Sequence, residues 1–185
     1  MKRSAIAVGL VLLLFAVASQ AQAPGPKPGP EHQKMHVWLG DWTIDEETRD
    51  SPTEPWYKNT FTMQVRLMPG RFFNEARWKG NIKGQDVSGV EIEGYDPIKK
   101  VNFTSFFGSN GWRGGVTSAV YKGNFEEVNY TGMFADGKRI EARCTWNFAG
   151  DSMSMSGSCE QLTDSKWWPF RKVKGVKVKA ISKNE

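Results

Sequence analysis

Two histidines, His32 and His36, are spaced four residues apart and would lie on one face of a helix. Pairs of metal ligands use this spacing on helices. The residues between them are Gln33, Lys34 and Met35, so the glutamate base of a zinc protease is absent. The chain has no third histidine, and a carboxylate would have to complete a zinc site. We therefore interpret the pair as surface or lid histidines and predict no metal site and no cofactor.

Two carboxylates, Glu91 and Glu93, would share one face of a strand, because side chains alternate along it. A pair of carboxylates on one face could perform acid–base catalysis, but a solvated strand face accounts for the same spacing. No Ser-His-Asp arrangement is visible, since both histidines lie near the N-terminus. We therefore predict no catalytic residues. No residue can be assigned to an isomerase- or cyclase-type reaction in the interior.

Residues 1–21 have the pattern of a secretory signal peptide. Lys2 and Arg3 precede an apolar run over residues 5–18, and small residues follow, so cleavage is expected after Ala21. About fourteen apolar residues are too few for a membrane span, which needs roughly twenty. We predict an exported protein, periplasmic or extracellular, that is soluble once the leader is removed.

The only two cysteines, Cys144 and Cys159, lie on neighbouring strand-like segments. Exported proteins enter oxidising compartments in which disulfides persist. A bridge between the two is therefore the favoured interpretation, and a pair of buried thiols is the alternative. Closing a loop of about 15 residues would stabilise the fold by roughly 3 kcal/mol.

Charge is distributed unevenly along the chain. The 185 residues include 25 lysines and arginines and 20 aspartates and glutamates, which gives a net charge of +5. Residues 166–185 carry seven bases and one acid, whereas residues 22–165 carry sixteen bases and nineteen acids. A nucleic-acid-binding domain needs positive charge spread over one face of its body. The slightly acidic body therefore predicts no nucleic-acid partner.

The basic C-terminal strip, residues 166–185, has an alternation of its own. It predicts that Lys172, Lys174, Lys177 and Lys179 line the solvent face of the last strand. Charged side chains of this kind protect a strand from edge-to-edge pairing. Weak contact with an anionic surface is the functional alternative.

Residues 22–30 contain four prolines and two glycines and are predicted to form an extended linker. A short N-terminal lid helix is predicted for residues 31–39, with Pro30 at its entry and Gly40 as its stop. The chain from residue 31 to 181 is predicted to form one barrel domain, which includes this helix.

Period-2 alternation, β-branched and aromatic residues, and turns rich in glycine predict an all-β chain after the helix. Sequential hairpins without a long crossover favour a closed, antiparallel up-and-down barrel over a sandwich. Gly175, where the alternation of the last strand breaks, predicts a bulge. About ten strands are expected, at residues 41–49, 56–68, 71–79, 87–95, 101–107, 115–122, 125–134, 138–149, 152–162 and 170–181.

The same alternation predicts which side chains point into the barrel, although a slip of one residue exchanges the two faces. These side chains either fill the core or line a cavity for a ligand, and the sequence leaves both open. A void above about 300 Å³ would favour a carrier, and a packed interior would contradict it. The interior candidates are Phe61, Met63, Phe103, Tyr121, Tyr130, Trp146 and Met155.

The residues Gly40-Asp41-Trp42, placed between the lid helix and the first strand, resemble the Gly-x-Trp signature of lipocalin-type (calycin) barrels. In that superfamily the Trp closes one end of the barrel, and a basic residue from near the last strand packs over it. The resemblance therefore implies structural roles for Gly40 and Trp42. It also implies a cation–π contact to Trp42 from Arg171, with Lys172 as the second candidate.

Further motifs occur in order along the chain: Leu39-Gly40-Asp41-Trp42, Met68-Pro69-Gly70-Arg71-Phe72, Gly94-Tyr95-Asp96-Pro97 and Asp136-Gly137-Lys138. Together they resemble a bacterial exported family, domain of unknown function 1579, with a lipocalin-like fold. The resemblance covers about residues 31–179 and implies the fold and export, but no established activity. Related ten-strand barrels include nitrobindin-like haem binders, in which a histidine of the barrel ligates iron. No histidine follows His36 here, which argues against haem.

We therefore predict an exported lipocalin-like barrel that binds a small hydrophobic or amphipathic molecule without chemistry. The alternative is a structural or interaction protein with a filled barrel, which would dock through its basic C-terminal strip.

Overall fold

The computed structural model describes residues 26–179, which form a closed barrel of ten antiparallel strands. Two short helices precede it, α1 at Pro30–Lys34 and a 3₁₀ helix at Met35–Trp38, and we call them together the lid. The predicted all-β barrel with a short N-terminal helix is confirmed. The strands are β1 Gly40–Thr48, β2 Tyr57–Leu67, β3 Phe73–Ile82, β4 Gln85–Asp96, β5 Val101–Gly108, β6 Arg113–Lys122, β7 Phe125–Met133, β8 Arg139–Phe148, β9 Ser154–Thr163 and β10 Lys166–Lys179.

The predicted signal peptide, residues 1–21, lies outside the described residues, as do linker residues 22–25 and residues 180–181 of the predicted domain. Within residues 26–179, no helix has the length and apolar character that crossing a bilayer requires.

Each strand pairs with the next along the chain, and β10 pairs with β1 to close the barrel. A closed sheet leaves no edge strand that could pair with another chain. Alternate side chains of every strand point into the barrel. All ten strands can therefore contribute to one interior.

Trp42 closes the barrel beneath the lid and is 1% exposed. Its indole Nε1 donates to the carbonyl oxygen of Trp38 at 2.6 Å. The ammonium of Lys177 lies 4.8 Å from the centre of the Trp42 ring and donates to the carbonyl oxygen of Val37 at 3.1 Å. The cation that packs over the signature tryptophan is therefore Lys177.

The predictions that Arg171, or else Lys172, packs over Trp42 are wrong. Strand β10 keeps its alternation through Gly175, so residues 171, 173, 175 and 177 all face inward. Arg171 lies further along the interior, and Lys172 points outward with its ammonium 4.5 Å from the centre of the Trp56 ring. Gly175 is explained by space, because an added Cβ would lie 3.0 Å from Met155 and 3.4 Å from Trp42.

The same alternation determines which lysines of the basic C-terminal strip are exposed to solvent. Lys172, Lys174 and Lys179 are exposed as predicted, but Lys177 is buried at 8% exposure, and the apolar Val176 is exposed in its place. The prediction that all four lysines share a solvent face is wrong for Lys177. Contact of the remaining lysines with an anionic surface stays a prediction.

Gly40 begins β1 at a position that no other residue fits. Its φ of +136° lies outside the range that residues with a side chain adopt readily, and an added Cβ would lie 2.6 Å from the carbonyl oxygen of Lys179. The missing side chain lets β1 and β10 approach each other where they close the barrel. The structural roles implied for Gly40 and Trp42 agree with this geometry.

Cys144 and Cys159 face each other on the paired strands β8 and β9 and form a disulfide, with their Cα atoms 4.1 Å apart. The predicted bridge is confirmed. Cys144 is 4% exposed and Cys159 is 1% exposed, so the bridge lies inside the barrel wall and fastens two consecutive strands.

Four interior aromatic rings lie directly opposite a glycine of the neighbouring strand. The pairs are Phe61 with Gly80, Trp78 with Gly89, Phe106 with Gly114, and Trp146 with Gly157. A Cβ added at these glycines would lie 2.3, 2.2, 2.5 and 2.0 Å from the ring opposite, respectively. The rings therefore lie flat against the backbone of the barrel wall.

Candidate functional site

The interior of the barrel contains a cavity of about 170 Å³. Residues from all ten strands line it, and Trp38 of the lid covers one side. The ring of Trp38 packs edge-on against Phe148, with their centroids 4.8 Å apart, and against Trp146, at 6.2 Å. The lid thus contributes directly to the cavity wall.

One part of the cavity lining is apolar and aromatic. Ile44, Met63, Val65, Ala76 and Met155 belong to one buried cluster that reaches the cavity. Phe106 and Trp112 pack with their rings tilted by 41° and their centroids 4.5 Å apart in a second cluster, and both also line the cavity. This part of the lining suits an apolar or aromatic group.

The structure places the predicted interior residues in three situations. Met63, Tyr130, Trp146 and Met155 line the cavity. Phe61 and Tyr121 point inward but do not line the cavity. Phe61 packs on Trp78, and the Tyr121 hydroxyl donates a hydrogen bond to Glu93. Phe103 lies outside the barrel. Ligand binding by the four lining residues stays a prediction.

The prediction that Phe103 points inward is wrong by one residue of register. In β5 the inward residues are Asn102, Thr104 and Phe106. Phe103 instead packs against Phe73 on the outer face, with their centroids 6.5 Å apart. Both faces of β5 carry phenylalanines, so apolar alternation could not distinguish them.

Four glutamates point into the barrel, and two of them are joined to the lid. Glu93 accepts hydrogen bonds from the Tyr121 hydroxyl at 2.6 Å and from Asn74 at 3.0 Å. Asn74 also donates to the carbonyl oxygen of Met35 in the lid. Glu126, which is 4% exposed, accepts from the indole Nε1 of Trp38 at 3.1 Å.

Burial perturbs these carboxyl groups. Loss of solvent raises the pKa of Glu93 to about 7, although the hydrogen bonds from Tyr121 and Asn74 act in the opposite direction. Burial raises the pKa of Glu126 well above its usual value, and the neighbouring charge of Glu93 adds to the effect. The pKa of Glu91 is also raised by burial, while the positive charge of Arg171 opposes the change.

The other two groups of interest are Arg171 and Glu46. The Nε of Arg171 donates to Glu46 Oε2, and Asn59 donates to Glu46 Oε1 at 3.2 Å. The guanidinium carbon of Arg171 lies 5.9 Å from the centre of the Trp146 ring. Arg171 lines the cavity, and its ion pair with Glu46 places a fixed cation in the barrel wall.

Sequence reasoning missed Glu91 and Glu93 as interior residues, since it assigned them to a solvated strand face. Both line the cavity, whereas the neighbouring Val90 and Ile92 lie on the outer face of β4. The strand therefore inverts the usual rule that places apolar residues inside. Glu46 and Glu126 were not predicted as interior residues either, and alternation alone carries no signal that separates them from exposed glutamates.

The N-terminal histidines, His32 and His36, both lie in the lid. His32 Nδ1 accepts a hydrogen bond from the backbone nitrogen of Gly29 at 3.1 Å, and its ring packs edge-on against Phe72 and Tyr95. Within residues 26–179, no group of three or more histidine, cysteine, aspartate or glutamate side chains is placed to hold a metal ion.

A larger depression of about 760 Å³ lies on the outside of strands β1, β2 and β8–β10. It is open to solvent, and some of its polar side chains are paired with each other. Lys58 lies 4.0 Å from Glu47, and the Thr60 hydroxyl donates to Asp45 at 3.0 Å. We therefore place the candidate site in the smaller interior cavity, where polar groups are buried.

Comparison with known proteins gives a family and a fold. The sequence profile described as "Protein of unknown function (DUF1579)" matches residues 27–178. The structure is similar to the crystal structure of Rv2717c from M. tuberculosis, with a TM-score of 0.59 and 11% sequence identity. The match covers 80% of this chain and 98% of that chain. No curated protein sequence matches the chain.

Proposed function

The chain belongs to the DUF1579 family, whose description names no activity, and we propose that it is a non-catalytic protein that holds a small amphipathic molecule inside its barrel. The observation that carries this proposal is the cavity, whose lining combines apolar and aromatic side chains with several polar ones. Concave interiors that combine apolar walls with a few convergent polar groups are typical ligand sites.

The size of the cavity limits the molecule it could hold. An engineered cavity of about 150 Å³ binds benzene, and ligand pockets for larger molecules usually begin near 300 Å³. The cavity of about 170 Å³ does not reach the roughly 300 Å³ that would favour a carrier of larger molecules, but the interior is not fully packed. Its volume suits a molecule with one ring and a small substituent. It argues against a long-chain lipid, and it narrows the expected ligand from a general hydrophobic molecule to a compact one.

The polar groups decide the orientation of the ligand. Burying a polar group without a hydrogen-bond partner costs free energy. An amphipathic molecule can place its apolar part against Phe106 and Trp112 and its polar part against Arg171, all of which line the cavity. An entirely apolar molecule would leave the polar groups of the lining without a partner.

The proposal also places this binding outside the cytoplasm. Support comes from the Cys144–Cys159 disulfide, since such bonds persist mainly in oxidising compartments. The signal-like pattern of residues 1–21 points the same way. Cell fractionation with an antibody to the mature chain tests this part of the proposal separately.

A cavity-filling substitution tests the binding. Val116→Phe adds a ring to a residue that lines the cavity, and Val120→Phe makes the same change on the outer face of the same strand, where Val120 is 43% exposed. Native mass spectrometry of the full chain purified from its own compartment should show a bound small molecule in the wild type and in Val120→Phe. The Val116→Phe variant should lose it.

The proposal fails if the wild-type protein is recovered without a bound molecule and also binds none of a panel of single-ring compounds. It fails as well if folded Val116→Phe, verified by its thermal melting curve, retains the molecule as fully as Val120→Phe does.

A further inference from the structure

We infer that the ligand is a neutral single-ring compound with a carbonyl group, and that Arg171 and Tyr130 donate hydrogen bonds to its oxygen. This inference rests on the proposed binding function and specifies the chemistry of the bound molecule. It is based on two cavity-lining residues that carry hydrogen-bond donors without an acceptor among residues 26–179.

Arg171 uses only part of its hydrogen-bonding capacity. A guanidinium has five N–H donors, yet within residues 26–179 its hydrogen bonding is limited to the bond from Nε to Glu46. The terminal nitrogens have no hydrogen-bond partner in that part of the chain, and the residue lines the cavity. The contact of the guanidinium with Trp146 and the bond to Glu46 hold the group in place.

Tyr130 provides a second donor in the same cavity. The residue is 7% exposed and lines the cavity, but its hydroxyl has no hydrogen-bond partner in the described part of the chain. By contrast, the hydroxyl of the equally buried Tyr121 donates to Glu93 at 2.6 Å. Buried tyrosine hydroxyls are usually paired, so the Tyr130 hydroxyl is a buried polar group that a ligand can satisfy.

The two groups are close enough to affect each other's ionisation. Burial raises the pKa of the Tyr130 hydroxyl to about 12, and the positive charge of Arg171 acts in the opposite direction. The hydroxyl therefore remains protonated at neutral pH and is available as a donor. A carbonyl oxygen has two lone pairs and can accept from both groups at once.

The charges around Arg171 indicate that the acceptor is neutral. Glu46, which is buried, already balances the half-buried guanidinium through an ion pair. Glu91 lines the same cavity, and its charge also acts on Arg171. A ligand carboxylate would add an uncompensated negative charge to this interior, and burying such a charge is costly. A neutral carbonyl oxygen accepts the same hydrogen bonds without that cost.

The test compares three probes of nearly equal size: acetophenone, ethylbenzene and benzoate. Isothermal titration of the full chain at pH 7 should show acetophenone binding at least about tenfold more tightly than ethylbenzene, the factor expected for hydrogen bonds to otherwise unpaired donors. Benzoate should bind more weakly than acetophenone. The carbonyl ¹³C resonance of bound acetophenone should move downfield.

Tyr130→Phe removes one donor without breaking any hydrogen bond among residues 26–179. It should weaken acetophenone binding about fivefold to tenfold and leave ethylbenzene binding within about twofold. Tyr57→Phe is the matched control, because the Tyr57 hydroxyl donates to Asp50 at 2.7 Å on the surface and the residue does not line the cavity. It should change neither affinity.

The outcomes separate the two proposals. If acetophenone and ethylbenzene bind equally, or if the carbonyl resonance does not move, the carbonyl inference is overturned while binding in the barrel stands. The same holds if folded Tyr130→Phe loses no affinity for acetophenone. If none of the three probes binds the wild type, the carbonyl inference is overturned, and if the protein is also recovered without a bound molecule, the binding function fails with it.

Discussion

Strand β10 carries two cations into the barrel, and they are bound in different ways. Lys177, beneath the lid, donates to the carbonyl oxygen of Val37 and lies over the ring of Trp42. Arg171, six residues earlier, is paired with Glu46 through Nε alone and lines the cavity with its terminal nitrogens unpartnered within residues 26–179. The chain itself supplies partners for Lys177 at the closed end, and leaves donors of Arg171 without partners at the cavity.

This difference leads us to expect different roles for the two cations, Lys177 in stabilising the fold and Arg171 also in the proposed ligand site. A cation that closes a barrel end is expected to contribute to stability and to leave ligand affinity unchanged. A cation with unpaired donors on a cavity is expected to affect both, because its partner Glu46 depends on it and a ligand can use its remaining donors. Three measurements test this distinction.

The largest loss of stability is expected for Arg171→Met. The substitution leaves Glu46 buried at 7% exposure without its cation, and removing one partner of a buried ion pair costs about 3–5 kcal/mol. Urea unfolding at pH 7 measures the loss. The double variant Glu46→Gln with Arg171→Met should recover most of it, because no charge is then left unpaired. A single variant within about 1 kcal/mol of wild type would contradict the ion pair.

A smaller change in the free energy of unfolding is expected from a change in pH. It should come from the buried carboxyl groups of the barrel interior. Burial raises the pKa of Glu93 from 4.5 to about 7, so between these values the folded state binds more protons than the unfolded state. The free energy of unfolding should therefore fall as pH rises through this window, by about 1.4 kcal/mol per unit for each extra proton, and level off above it. The raised pKa values of Glu91 and Glu126 act in the same direction.

Denaturant unfolding at half-unit steps from pH 5 to pH 8 measures this slope. Glu93→Gln should make it shallower, since one titrating carboxyl is then removed. Lys177→Met should keep the wild-type slope, because Lys177 lies at the closed end, where it contacts a backbone carbonyl and an indole that do not titrate in this range. Stability that rises across the window would refute the assignment of these carboxyls to a buried interior.

The smallest effect is expected for Lys177→Met itself. The methionine keeps most of the stem that packs on Trp42 but removes the cation–π contact and the hydrogen bond to the lid, at a cost of about 1–2 kcal/mol. Thermal and urea unfolding measure this loss. Acetophenone affinity should remain within about twofold of wild type. A loss of affinity as large as that of Tyr130→Phe would erase the distinction between the two cations.

The sequence was sufficient to predict the architecture. Ten segments with period-2 alternation, joined by short turns, predicted the ten-strand barrel, because sequential hairpins leave few other ways to bury one face of every strand. The cysteine pair was predictable for a similar reason: Cys144 and Cys159 flank a single turn, so their strands had to be neighbours.

The interior could not be predicted as well, because it depends on register. Phe103 and Phe106 lie on opposite faces of β5, and hydrophobicity does not distinguish those faces. Glu91 and Glu93 point inward where alternation favoured Val90 and Ile92. Lys177 was assigned to solvent because Gly175 suggested a bulge, whereas the glycine makes room for Met155 and Trp42. These positions depend on contacts between distant strands, which a local pattern does not contain.

The three glycines opposite Phe61, Trp78 and Trp146 make the capacity of the barrel easy to change over evolution. Each ring lies where a Cβ on the opposite strand would be, so a single methyl group at Gly89 or Gly157 would push an indole away from the wall. One amino-acid replacement at a residue that does not line the cavity could thus change its volume. Barrels with the same strands and the same closed end could in this way come to accept different molecules, without any change among the side chains that touch them.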